Sequence, residues 1–91
     1  MTLLEVVRDL QAVAMDATIY LVKPWTADSA AIVEAEPGGG LPTGAMRGGA
    51  AYFLEVSVAQ EFLEDWTRAQ GRMVPLKERC ERLIQYAIAD A

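Results

Sequence analysis

The chain has 91 residues, with thirteen acids, eight bases and no histidine, for a formal net charge of −5. That length implies one domain, residues 1–91, and the 53% apolar content argues for a packed core and against disorder. The balance excludes the basic footprint that phosphate binding needs, and no apolar run approaches the roughly 20 residues of a membrane-spanning helix.

The charge is unevenly placed. Residues 1–65 hold ten acids and three bases, whereas residues 66–91 hold three acids and five bases. An acidic surface of this kind suits a basic protein partner better than nucleic acid or membrane. Cys80 is the single cysteine, so no internal disulfide is expected. The opening MTLLEVVRDL has acids inside its apolar run and no basic leader, which is not the pattern of a signal peptide. The expected location is the cytoplasm.

Thr2 to Val13 reads as the first helix. Thr2 and Glu5 have the T-x-x-E spacing of a capping box, and Leu3, Val6, Val7, Leu10, Val13 and Ala14 form one apolar stripe. Thr18 to Val22 is a strand by composition, and Pro24 should stop it near Lys23 because proline has no amide to donate. Ala30 to Glu36 reads as a second strand, hairpinned to the first, with a helical turn as the alternative since Ala and Glu also favour helix.

Residues 37–50 form a glycine-rich segment, with six glycines and two prolines between Pro37 and Gly49. It reads as a flexible surface loop. A phosphate cradle would need G-x-x-x-x-G-K-[ST] followed directly by a helix, and here Ala50 and Ala51 lead into a strand.

Ala51 to Val56 is the third strand. Strict alternation places Tyr52, Leu54 and Val56 on one face and Phe53 and Glu55 on the other. Ser57 is the expected N-cap of the next helix, with Gln60 bonding back to it. Val58, Phe62, Leu63, Trp66 and Ala69 form the buried stripe of that helix, and Gly71 supplies its left-handed terminus. Pro75 suits the first position of a last helix, on which Leu76, Cys80, Leu83, Ile84, Ala87 and Ile88 repeat at helical spacing. Lys77–Glu81 and Glu78–Arg82 have the spacing of i, i+4 ion pairs. The order α-β-β-loop-β-α-α gives an α+β fold: a small three-stranded, mainly antiparallel sheet in two layers with its helices.

Candidate chemistry is sparse. Without histidine the commonest general base and metal ligand are missing. Cys80 lies on an apolar stripe and reads as an inert core thiol. Glu61, Glu64 and Asp65 share a helical face that Glu34, Glu36 and Glu55 could extend, but spacing along one helix does not converge oxygens on a cation. No catalytic, cofactor-binding or metal-binding residue is assigned. The candidate partner-binding residues are Glu61, Glu64, Asp65 and Trp25. Trp25 follows Lys-Pro in a turn, where it either folds onto the sheet or stands as an interface anchor. Trp66 is expected in the core.

Three pieces carry a resemblance: ATIYLVKPWTADSAAIV from Ala17, YFLEVSVAQEFLEDW from Tyr52 and CERLIQYAIADA from Cys80. They resemble a group of short, uncharacterised bacterial proteins. The resemblance implies a bacterial cytosolic protein and no particular activity. The expected function is therefore a non-enzymatic protein-interaction module: an immunity-like or antitoxin-like inhibitor of a basic partner, with homodimerisation compatible. The alternative is a small-ligand or regulatory module whose glycine-rich loop lies over a pocket.

Overall fold

A computed structural model describes residues 1–35 and 49–90. Helix α1 (Leu3–Arg8) and a short 3-10 turn (Leu10–Ala12) precede strands β1 (Ala17–Leu21), β2 (Ala31–Ala35) and β3 (Ala51–Glu55). Helices α2 (Val56–Gln70) and α3 (Leu76–Asp90) follow. The sheet has the order β2-β1-β3 and both pairings are antiparallel. The expected α+β architecture is present, and residues 31–35 are strand rather than helix. The glycine-rich segment lies outside the described residues up to position 48, and with it Glu36.

β1 is central, and all five of its residues are buried. Ala17, Ile19 and Leu21 point into the main core, with Leu3, Val6 and Val7 of α1, Val56, Ala59 and Leu63 of α2, and Cys80, Leu83, Ile84 and Ala87 of α3. Tyr20 faces the other way, where Ala50 is buried with it and Val22 and Ile32 pack alongside.

Alternation fails in β3. The register between β1 and β3 shifts between Ile19 and Tyr20, so that Leu54 pairs with Ile19 but Tyr52 pairs with Tyr20. Phe53 is the extra residue of this bulge. Phe53 and Leu54 consequently both enter the main core, while Tyr52, 51% exposed, stays on the Tyr20 face. The expected grouping of Tyr52 with Leu54 is corrected by that one inserted residue.

α1 is shorter than its apolar stripe. The capping box at Thr2 and Glu5 forms as expected. The helix ends at Arg8, and the chain tightens into i→i+3 bonds, Ala12 N–H to Asp9 O (2.9 Å) and Val13 N–H to Leu10 O (3.1 Å). Val13 is only half-buried and Ala14 is exposed.

The entry to α2 also differs from expectation. β3 runs straight into the helix, so Glu55 occupies the N-cap position and Ser57 lies inside the first turn. Glu55 makes no side-chain capping bond. The deeply buried stripe is Val56, Ala59 and Leu63, with Val58, Phe62 and Trp66 half-buried along its flank and Ala69 exposed. Phe62 stacks on Tyr86 of α3 with ring centroids 4.1 Å apart. The helix ends at Gly71, whose φ of 63° is the left-handed conformation expected there.

Pro75 precedes α3 as the residue whose carbonyl accepts from Arg79 N–H at 3.1 Å. That is the N-cap position, one residue before the expected one. Ile88, 60% exposed, falls off the buried stripe. The expected pair of Glu78 with Arg82 is replaced: Glu78 takes a two-pronged contact from Arg72, and Arg82 lies over the Phe62 ring at 5.2 Å.

Candidate interaction groove

Where α1 stops, a surface groove opens. The 3-10 turn forms one wall, the outer half of α2 the other, and the first turn of α3 closes one side. Its volume is about 800 Å³. Val7, Leu10 and Leu63 line it, and each is a buried core residue showing only its edge. Around that apolar floor stand Arg8, Asp9 and Gln11 from the first wall, Glu64, Thr67 and Arg68 from the second, and Arg79 from α3.

The shape follows from Gln60. Its side-chain amide donates to Leu10 O at 2.8 Å and to Val13 O at 3.0 Å. Both carbonyls belong to the end of the first helical segment, where orphan acceptors are normal; Leu10 O also accepts from Val13 N–H, and Val13 O is the one that Gln60 alone meets. The glutamine expected to close its own helix instead ties α2 to the 3-10 turn, and so sets the distance between the two walls.

Charges in the groove are largely paired. Arg8 donates to the Asp9 carboxylate at 3.0 Å, and this contact raises the Arg8 pKa above its usual value. Arg68 contacts Glu64 at 2.8 Å and Asp65 at 3.5 Å. Arg79 differs. Its Nε is buried and has no hydrogen-bond partner among the described residues.

The candidate partner-binding residues are separated by the fold. Glu61, Glu64 and Asp65 are all exposed on α2. Arg68 occupies two of the three carboxylates, and Glu64 alone of the three lines the groove. Trp25 is half-buried against the core: its ring meets Phe53 edge-on at 5.0 Å, and its Nε1 donates to Leu21 O at 3.3 Å. Lys23 Nζ lies 5.3 Å from the centre of the same ring. Glu34 and Glu55 both pair with Thr18, one from each neighbouring strand, and so flank the centre of the sheet. Sequence reasoning missed the groove because its arginines come from three separate segments; only the spacing of Arg68 from Glu64 and Asp65 was a local signal.

Cys80 is fully buried, and loss of solvation pushes its thiol up to about 11. At neutral pH it is therefore a protonated core side chain. Among the described residues no cluster of three or more His, Cys, Asp or Glu is arranged to hold a metal ion, and no helix is long and apolar enough to cross a membrane. No protein-family model matches the chain, and no curated protein or solved structure is significantly similar to it.

Proposed function

We propose that this protein is a non-enzymatic interaction module that holds a segment of a partner protein in the groove between the 3-10 turn and α2. The observation that carries this reading is the groove's composition: an apolar floor of Val7, Leu10 and Leu63 inside a rim of charged and polar side chains. An apolar centre with a polar rim is the anatomy of protein interfaces. The lack of histidine and the burial of the sole thiol support a binding role over a catalytic one.

The net charge of −5 supports a partner that is basic overall, as an immunity-like or antitoxin-like inhibitor would meet. Such a charge acts at range, over a Debye length of about 8 Å at physiological ionic strength, and mainly raises the association rate. Pairing of Glu64 and Asp65 with Arg68 reduces what the α2 carboxylates add locally. The groove supplies the short-range contacts.

Site-specific photo-crosslinking in the native host tests this reading. A crosslinker at Gln11, on the groove rim, is expected to capture one defined protein; the same group at Glu55, on the sheet, is expected not to. Equal capture from both positions would remove the groove from the interface.

A further inference from the structure

Among the described residues, every arginine of the groove except one has a carboxylate beside it. Arg8 has Asp9, and Arg68 has Glu64 and Asp65. Arg79 contributes to the groove wall while its Nε sits buried with no acceptor among the described residues. A buried N–H of a charged group left without a partner carries a desolvation cost that no hydrogen bond offsets. Because the guanidinium charge is delocalised, an anion on its other nitrogens offsets part of that cost.

We infer that Arg79 marks a carboxylate subsite, and that the groove receives a partner segment in which an apolar side chain lies next to a carboxylate. The apolar side chain covers the floor of Val7, Leu10 and Leu63, and the carboxylate meets the Arg79 guanidinium. This rests on the groove being the interface, and it adds the chemistry of the occupant. The occupant is a protein segment, since the floor calls for an apolar side chain that a free inorganic anion lacks. A basic partner can still present such a segment, because net charge acts at a distance and Arg79 acts at contact.

The smallest probe with both features is N-acetyl-leucine, and its control is N-acetyl-leucinamide, which keeps the side chain and loses the charge. Amide NMR titration of the native protein reads both. N-acetyl-leucine is expected to shift signals of the 3-10 turn, of Leu63 to Arg68 and of Arg79, and to bind at least about tenfold more tightly than the amide, as one charge-assisted hydrogen bond implies. In Arg79→Gln the preference for the acid should vanish, and in Arg79→Lys part of it should return. Equal binding of acid and amide by the native protein overturns the subsite, as does binding outside the groove or no binding of either. None of these results touches the crosslinking at Gln11, so the two readings fail separately.

Discussion

The two ends of the first helical segment solve the same problem in opposite ways. At the N-terminus every orphan amide finds a partner close by. Thr2 N–H donates to the Glu5 carboxylate at 2.9 Å, and Glu5 N–H donates to the Thr2 hydroxyl at 3.3 Å. Leu3 and Leu4 donate to Ser29 O and Ala27 O at 3.0 and 2.9 Å. The turn that offers those carbonyls is itself closed, with Thr26 N–H donating to the Ser29 hydroxyl and that hydroxyl donating to Pro24 O. At the other end the Val13 carbonyl depends on one side chain from α2, and the same side chain adds a second donor to Leu10 O, which already accepts from Val13 N–H. The groove lies at the open end. At the N-terminal end four amides are met within the capping turn and the loop packed on it; at the other end Val13 O is met by a single reach across a gap, and the gap is the groove.

The largest expected effect lies at the closed end. Leu3 is fully buried and its amide is tied to the turn. Leu3→Ala should cost about 2–5 kcal/mol, through lost burial plus a cavity. Since small domains are stable by only about 5–15 kcal/mol, urea denaturation should show a clearly lower midpoint. A variant that unfolds with the parent would mean that this end is not sealed.

Gln60→Leu comes next and strikes the open end. It removes the donor to Val13 O and the second donor to Leu10 O, which keeps its bond from Val13 N–H; leaving the Val13 carbonyl without a partner should cost about 1–3 kcal/mol. Hydrogen exchange sharpens the comparison. Faster exchange should be confined to the 3-10 turn and the facing part of α2, with the amides of Leu3 and Leu4 unchanged. Uniform acceleration over the chain would mean that the two ends open together.

That contrast also sets how far the sequence could be read. The capping box was legible because both partners sit three residues apart. So was the left-handed end at Gly71, where the residue type and the conformation imply each other. The role of Gln60 was not legible: its partners lie 47 and 50 residues away. A strand that runs directly into a helix shifts the cap by two residues, from Ser57 to Glu55. The bulge beside Ile19 and Tyr20 is a property of the pairing between strands, so composition could not show it. The exposure of Glu61, Glu64 and Asp65 could be read from periodicity, while the groove beside them needed three elements to meet.

The smallest effect is a pH dependence at the closed end. The Glu5 carboxyl is held below its ordinary value, first because the ionised form accepts from the Thr2 amide and then because it meets the Thr2 hydroxyl. In the unfolded chain that bond is absent, so unfolded Glu5 takes up its proton at a higher pH than folded Glu5 does. Between the two values the unfolded state binds more protons, and stability therefore rises with pH across that window. The contribution is complete above the unfolded value and is lost as pH falls through the folded one. Glu5→Gln keeps an oxygen that can accept from the Thr2 amide but removes the titration. Its melting temperature should sit slightly below the parent's at neutral pH, and the two should converge as the solution is acidified. Thr2→Ala, which removes the hydroxyl and leaves the amide, should keep part of the pH dependence while costing about 1 kcal/mol for the lost cap. If the parent and Glu5→Gln melt in parallel from neutral to acid pH, the Thr2–Glu5 bond does not hold in solution, and the N-terminal end is less closed than its geometry implies.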